Sequence, residues 1–437
     1  MNARQLQILI RQSFQAERWA KSVMADVRPE FLLAMSRVRD IVGQLPSEGL
    51  FRESEWRRAY LPQVEAAVKP YTDALAESVV GGMVQAGPDF EIEAINQLKA
   101  VGLIDNSLPP ALLAAPTANF TRLALSSEVV EGTSLMELFG LKEGQTPATT
   151  PPFTRSQVRV INQKVSAGIM AGTSTEQIAK DIAGAVPAPG RFRRIQVAKG
   201  TAAHEIQSWA LAIARTGIQD MNRQVNEQVW EANPIEGDEW VYEWVSAMDP
   251  RVCPVCAPLD GKTRPNRSDF PQWPLHFNCR CTVVLINKDE KEDVRVGIEV
   301  SDSEPTYKGR KISELKGAER REALASGLYA TKKKVKGQPM YRRTQRIFAQ
   351  GRQRRPSYGD YVVQSTDETQ AMFFGGGNAG EERAQNFRQW IAAGKTPQQA
   401  LSKVIINMPT RTGPIKRIDP RDVRFRPISE LLTPDSN

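Results

Sequence analysis

The sequence is short of the residue types and motifs on which most catalytic sites depend. Its 437 residues include only two histidines and four cysteines. There is no Walker phosphate loop, no HExxH motif, no GxSxG nucleophile elbow and no dinucleotide-binding glycine fingerprint. We therefore expect no catalytic residues and no small-molecule substrate.

Long apolar segments are also absent. No stretch approaches the roughly 20 apolar residues that a membrane span requires, and the mean hydropathy is −0.42. Charged residues interrupt the first 21 positions, so these lack the apolar core of a signal peptide. We expect a protein that is made in the cytoplasm and has no membrane contact.

The net positive charge of the protein comes from the C-terminal third of the chain. Residues 301–437 contain 26 Lys and Arg against 14 Asp and Glu, whereas the preceding 300 residues have a net charge of −4. Residues 331–355 contain no acidic residue and form a basic run of ten residues: Lys332, Lys333, Lys334, Lys336, Arg342, Arg343, Arg346, Arg352, Arg354 and Arg355. Such a run either neutralises nucleic acid phosphates or binds an acidic surface of a neighbouring protein, and both readings stay open.

The rest of the chain reads as mostly helical. Apolar residues recur at helical spacing through residues 1–45 and 53–86, where Gly81–Gly82 and Gly87–Pro88 are expected to break the helix. A long helix is predicted over 192–232. Two strands are predicted at 239–247 and 281–286, because aromatic and β-branched residues dominate there.

All four cysteines lie in one short stretch together with one histidine. Cys253 and Cys256 form a CxxC pair, and His276, Cys279 and Cys281 form HxxCxC. A tetrahedral Zn²⁺ takes four such ligands, so the five candidates leave the ligand set open. The alternatives to a structural zinc are cysteines that are reduced or disulfide-paired without metal, and a catalytic metal.

The polar residues around the cysteines are predicted to shape loops. Asp260 and Gly261 form a turn signal, and Asp249 begins the turn of the CxxC pair. Arg251 and Arg280 are candidates for pairing with these two carboxylates. A pair of catalytic carboxylates is the alternative reading, and we favour the turns because both aspartates stand beside turn-forming residues.

This stretch resembles the signature of the Mu F-like minor head protein family of phage head morphogenesis. The residues that carry the resemblance are Asp249, Arg251, Cys253, Cys256, Leu259, Asp260, Gly261, Lys262, Pro274, His276, Asn278, Cys279, Arg280 and Cys281. The segment Ala212–Gln224 also resembles the Ala-Arg-Thr helix of the family, although Gly217 stands where the family often has glutamate. The similar region covers roughly residues 155–287.

The resemblance implies a structural virion protein that acts in head assembly near the portal or the inner shell. The partners implied are the portal protein, the major capsid protein, or both, together with packaged double-stranded DNA. The protein would be located in the virion, and in the host cytoplasm during assembly. A metal-stabilised nuclease or an effector-type enzyme carried in the virion is the alternative.

These observations predict a mostly helical α+β fold in four parts. Residues 1–140 form a helical docking region, and the Gly-, Thr- and Pro-rich residues 141–153 form a linker. Residues 154–287 form a domain with a central helix, a small sheet and the Cys/His knuckle. Residues 288–437 form an extended basic region that contains a helical segment at 357–401.

Overall fold

The computed structural model describes most of the chain. The described residues are 3–46, 53–105, 120–130, 133–141, 151–171, 173–184, 200–233, 237, 239–246, 252, 255–276, 278–288, 295–301, 306–307, 309–311, 314–319, 331–335, 338–347 and 357–406. Among them, no helix combines the length and the apolar character that crossing a membrane would need.

Helices make up most of the described chain, which confirms the predicted mostly helical α+β class. The N-terminal helices are α1 (Ala3–Asp26), α2 (Arg28–Gly43), α3 (Glu53–Glu55), a π-helical turn (Trp56–Tyr60), α4 (Leu61–Ala100), α5 (Phe120–Ser126) and α6 (Leu135–Phe139). The central helices are α7 (Pro152–Met170), α8 (Thr175–Ala183) and α9 (Ala202–Ala232). The C-terminal helices are α10 (Tyr358–Val363), α11 (Asp367–Phe373), α12 (Gly377–Ala392) and α13 (Pro397–Ile406).

The strands are short and form small antiparallel sheets. They are β1 (Glu128–Val130), β2 (Thr133–Ser134), β3 (Trp240–Val245), β4 (Thr263–Arg264), β5 (Thr282–Asn287), β6 (Arg295–Ser301), β7 (Thr306–Tyr307), β8 (Arg310–Lys311), β9 (Thr331–Val335) and β10 (Gln338–Ile347). The two largest sheets have the strand orders β4-β3-β5 and β6-β10-β9. Strands β3 and β5 agree with the two predicted strands to within about two residues at each end.

Helix α4 runs unbroken through the positions predicted to break it, so that prediction was wrong. Its buried face repeats at helical spacing over Tyr71, Leu75, Val79, Met83 and Phe90, all of which are inaccessible to solvent. Burial of this face outweighs the local cost of three glycines and two internal prolines. A buried aliphatic or aromatic side chain contributes roughly 1.5–3 kcal/mol, whereas a helical glycine costs about 1 kcal/mol and an internal proline about 3 kcal/mol.

The glycines of α4 also allow neighbouring elements to approach. A Cβ at position 82 would lie 2.6 Å from Val23 Cγ2 of α1. A Cβ at position 87 would lie 2.5 Å from the ring of Phe120 in α5. Gly82 and Gly87, which look like helix breakers in the sequence, therefore mark close contacts between helices.

One large hydrophobic core joins α1, α2 and α4 to α7, α8 and α9. Helix α9 begins at Ala202 and not near 192, because Thr201 caps it by accepting a hydrogen bond from the His204 amide at 3.2 Å. The boundary at 141–153 stays a prediction, since residues 142–150 lie outside the described chain. The helices on either side of that segment nevertheless share this core.

The basic region contains paired strands, which were not predicted from the sequence. Strand β10 pairs with β9 and with β6. Alternating Val296, Ile298 and Val300 have the period of a strand, and the charged residues around them hid that signal. Helices α10 to α13 agree with the predicted helical segment at 357–401.

Candidate metal centre

Three of the predicted ligands meet in one cluster. The Cys256 Sγ lies 3.1 Å from the His276 Nε2 and 3.8 Å from the Cys279 Sγ. All three ligand atoms lie within 4.8 Å of one another. Both thiols are buried, and the imidazole is half-buried.

The spacing of these atoms fits a tetrahedral metal. A Zn–S bond of about 2.3 Å and a tetrahedral angle separate two sulfur ligands by about 3.8 Å, which is the separation of the Cys256 and Cys279 sulfur atoms. The same geometry separates sulfur from nitrogen by about 3.5 Å. The observed 3.1 Å is shorter and corresponds to a direct hydrogen bond between thiol and imidazole. The cluster could therefore hold a metal after a small outward shift of His276.

The loops that carry the ligands leave the β3–β5 pair. Trp244 of β3 pairs with Val283 of β5, which places Cys281 at the start of the paired segment. Cys256 precedes a short 3₁₀ turn, and the Cys279 amide donates to the His276 carbonyl at 3.0 Å. Buried Trp244 and Trp273 pack around the three described cysteines and keep water from the thiols.

Helix α9 holds the second loop from the opposite side. Arg215 donates to Asn278 Oδ1 at 3.3 Å, and Thr216 Oγ1 accepts from the Asn278 amide at 3.0 Å. One turn further on, Gln219 donates to the Cys281 carbonyl at 3.2 Å. Asn278 adopts a left-handed backbone with φ of 57°, which asparagine tolerates better than most residues. The Ala-Arg-Thr helix therefore positions the HxxCxC loop.

Arg215 also ties this loop to the first helix. Its Nε lies 2.8 Å from Glu17 Oε2, and its Nη2 lies 2.7 Å from Glu17 Oε1, so the pair is bidentate. Burial raises the pKa of Glu17, but the hydrogen bonds and charge of Arg215 outweigh burial and hold this pKa below its ordinary value. Sequence reasoning noted the Arg215 helix but missed this contact, since nothing in the sequence relates positions 17 and 215.

Cys281 adjoins the three-residue cluster, and its thiol is hydrogen-bonded to the thiols of Cys256 and Cys279. Its Sγ lies 3.5 Å from Ser246 Oγ. Hydrogen bonds with Cys256 and then Cys281 lower the pKa of the Cys279 thiol well below its usual range, against the effect of burial. For Cys281, the hydrogen bond with Cys256 lowers the pKa of the thiol. The hydrogen bond and charge of Cys279, together with complete burial, have a larger effect and raise the pKa of Cys281 well above its usual range. Cys253, the remaining predicted ligand, lies outside the described residues.

Asp260 and Gly261 form the predicted turn, and Asp260 also has a role that the sequence did not indicate. Gly261 has a φ of 72°, and Lys262 donates to the Leu259 carbonyl at 3.0 Å. The buried Asp260 carboxylate accepts from the amides of Ser246 and Tyr358, each at 2.6 Å. The turn is thereby fastened both to the end of β3 and to α10, 98 residues further along the chain.

The remaining predicted positions are only partly described. Asp249 and Arg251 lie outside the described residues, and Arg280 is described and half-buried. The pairing of the two arginines with the carboxylates of Asp249 and Asp260 stays a prediction. Lys332, Lys333 and Lys334 lie on β9. Arg342, Arg343 and Arg346 lie on β10. Lys336, Arg352, Arg354 and Arg355 lie outside the described residues.

The comparison with protein families agrees with the signature around this centre. Residues 159–284 match the family described as Phage Mu protein F like protein. The match includes α9, the Cys/His cluster and the first part of β5. The matched region is therefore a helical segment followed by a small sheet next to the Cys/His cluster. The resemblance drawn from the cysteine motif is confirmed over these residues, which are similar to the Mu F-like family of phage head morphogenesis. Neither the curated proteins nor the solved structures yield a match to the chain.

Proposed function

We propose that this protein is a structural component of the phage virion that acts in head assembly near the portal or the inner shell. The observation that carries the proposal is the family match over the region that contains α9 and the Cys/His cluster. The architecture supports a scaffold, because the described N-terminal and central helices share one extended core. In this role the helices of residues 1–140 dock on the portal or major capsid protein.

Deletion of the gene in the phage tests this role. We expect purified heads to contain the protein together with portal and capsid protein, and we expect the deletion to yield incomplete or non-infectious heads. Expression of the protein in trans should restore assembly. The proposal is overturned if purified particles lack the protein and the deletion leaves assembly unchanged.

We propose that the cluster binds a structural Zn²⁺. Cys256, His276 and Cys279 would supply three ligands, and Cys253 or Cys281 would supply the fourth. A site closed by four protein ligands contributes folding free energy and leaves no position for a catalytic water. Elemental analysis of protein purified without chelator should find about one zinc per chain. Absence of zinc, with all four thiols titratable, would refute the site.

We further propose that the basic sheet contacts packaged DNA. Directly paired residues of an antiparallel sheet lie on the same face, and successive residues alternate between faces. Tyr341 pairs with Lys332, and Pro339 pairs with Lys334. Arg343 follows Tyr341 by two positions, so the register assigns these three basic residues and Tyr341 to one face, which also carries Arg295 and Glu299 of β6. Basic residues around an aromatic residue are a common arrangement in proteins that bind nucleic acid backbones.

The two faces provide a matched test in the full-length protein. Replacement of Lys332, Lys334 and Arg343 by alanine should weaken binding to duplex DNA and reduce its salt dependence by roughly two to three counterions. Replacement of Lys333, Arg342 and Arg346 removes the same charge from the opposite face, which also carries Val296, Ile298 and Val300 of β6. Equal loss in both variants would mean that only bulk charge matters, and no loss in either would assign the basic segment to a protein partner.

We propose that the protein has no catalytic activity of its own, against the nuclease alternative. His276 belongs to the Cys/His cluster, and in the zinc site proposed above it would be a ligand rather than a general base. His204 lies in the first turn of α9, away from the described cysteines in the sequence. Purified protein should not cleave DNA with added divalent metal, and cleavage that disappears in His276→Ala would establish the nuclease.

A further inference from the structure

The C-terminal helices dock on the same loop that carries the first described cysteine of the cluster. Asp260 accepts from the Tyr358 amide at the start of α10 at 2.6 Å. Gln398 of α13 donates to the Ala257 carbonyl at 2.6 Å and accepts from the Gly359 amide at 2.9 Å. Both attachment points on the loop therefore lie within four residues of Cys256.

Apolar side chains also connect this loop to the C-terminal helices. Ala257 is buried in the hydrophobic cluster formed by the C-terminal helices, with Tyr361, Phe387 and Leu401 among its members. Val252 packs both against this cluster and against the one that surrounds Cys256, Cys279 and Cys281. The loop is thus shared between two small cores, one on the side of the cysteines and one on the side of α10–α13.

The far end of the loop is also bonded to β3, because the Gly261 amide donates to the Trp244 carbonyl at 2.8 Å and the Trp244 amide donates to the Lys262 carbonyl at 2.9 Å. At the near end of the loop, the Ser246 hydroxyl donates to the Cys256 carbonyl at 3.2 Å, and the segment from Leu259 to Asp260 closes through short-range turn bonds. A metal bound at Cys256 would add a restraint at the near end of the loop, and an irregular loop holds one conformation more firmly as its tertiary contacts increase. Cys256 supplies the ligand atom through which a metal would fix it.

We propose that metal binding and docking of residues 357–406 are thermodynamically coupled through the loop at residues 256–261. A metal held by Cys256, His276 and Cys279 fixes the positions of the Ala257 carbonyl and the Asp260 carboxylate, and these two groups anchor α13 and α10. The coupling is reciprocal, so a defect in docking must weaken metal binding by the same factor by which metal loss weakens docking. This inference rests on the zinc site proposed above and is independent of the role in head assembly.

Hydrogen exchange of the full-length protein tests the first half of the coupling. In zinc-loaded protein, the amides of α10 and α13 should be protected. Removal of zinc by a chelator, verified by elemental analysis, should speed their exchange by about tenfold or more while the middle of α4 stays protected. Unchanged protection of residues 357–406 after verified zinc loss would overturn the proposal, and so would a wild-type protein that retains no zinc.

A pair of neighbouring glutamines tests the reciprocal half. Gln398→Glu keeps the size of the side chain and its bond from Gly359 but places an oxygen against the Ala257 carbonyl. Gln399→Glu adds the same charge one residue on, at an exposed side chain that only accepts from the Thr396 amide. We expect Gln398→Glu to lose zinc to a competing chelator about tenfold more readily than wild type, and Gln399→Glu to match wild type. Equal zinc retention in both variants, with faster exchange of α10 and α13 in Gln398→Glu alone, would show docking without coupling and overturn the proposal.

Discussion

At the scale of single residues, Glu17 should make a contribution to stability that depends on pH. Arg215 holds the pKa of Glu17 below its ordinary value of 4.5, so the stabilisation is complete above that pH and is lost as pH falls through the lower pKa of the folded state. The Glu17 side chain is 35% exposed and the Arg215 side chain is 23% exposed, so solvent screening limits the stabilisation by this ion pair. We expect Glu17→Gln to lower the free energy of unfolding at pH 7 by about 1 kcal/mol. Denaturation at pH 7 and below pH 4 measures the difference.

The matched control for this pair is Glu77→Gln, which changes an exposed glutamate in the middle of α4. It should leave the free energy of unfolding within about 0.5 kcal/mol of wild type at both pH values. The Glu17→Gln deficit should shrink in acid, because the wild-type carboxylate is then protonated as well. A deficit of the same size at both pH values would point to lost packing instead of a lost charge interaction.

The cysteines of the HxxCxC loop should differ in their importance for metal binding. Cys279 belongs to the three-atom cluster, whereas the Cys281 thiol lies against Ser246. We expect Cys279→Ser to abolish zinc retention and Cys281→Ser to retain most of it, because removal of one of four ligands weakens a closed site severely. Zinc content per folded chain, determined after gel filtration, distinguishes them. Loss of zinc in Cys281→Ser would make Cys281 the fourth ligand.

The sequence was informative about which side chains form the cluster and uninformative about what holds them. Clustering of scarce residues, with CxxC and HxxCxC spacing, gave five candidate ligands, and Cys256, His276 and Cys279 are the three of them that the structure groups together. The support from Arg215 and Gln219 could not be predicted, because hydrogen bonds across more than 60 residues depend on how α9 crosses the sheet. No local periodicity or turn signal records that crossing.

At the scale of elements, the adjacent glycines of α4 should respond to alanine in opposite directions. A Cβ at position 81 has no neighbour within 4 Å, whereas a Cβ at position 82 would lie 2.6 Å from Val23 Cγ2. Gly81→Ala should stabilise the protein by about 0.5–1 kcal/mol through helix propensity. Gly82→Ala should destabilise it by about 1–3 kcal/mol through overpacking against α1. Chemical denaturation of the two variants checks this, and equal effects would argue against the close approach of α1 to α4.

The same helix shows where local sequence rules fail. Helical periodicity correctly predicts α9 over Ala202–Ala232 but places its start about ten residues too early, before the Thr201 cap. Local rules fail at α4 because glycine and proline act as breakers only when packing does not compensate. The sequence rules miss strand β6 for a related reason. Its pairing with β10 determines that it forms a strand, although its charged composition disfavours one.

At the scale of the whole molecule, the sequence predicts the parts better than it predicts their assembly. Residues 357–406 read as helical, and the structure places their helices on the loop that carries Cys256. The contact depends on the Asp260 carboxylate, which reads in the sequence as a simple turn residue. A buried carboxylate that accepts two amides has few other ways to be satisfied, so the turn and α10 specify each other's positions.

This assembly predicts two stages of thermal unfolding rather than one. The core that joins α1, α4 and α9 contains no cysteine, whereas the clusters around Trp244 and Tyr361 share the loop next to Cys256. Because a ligand stabilises only the state that binds it, a chelator should lower the melting temperature of the cysteine-containing part by roughly 10 °C or more and leave the helical core nearly unchanged. Calorimetry, with near-ultraviolet circular dichroism to follow the buried tryptophans, resolves the two stages. A single transition that moves as a whole with chelator would mean that the metal centre and the helical core unfold as one unit, since coupling would then extend through Arg215 and Gln219 to α9.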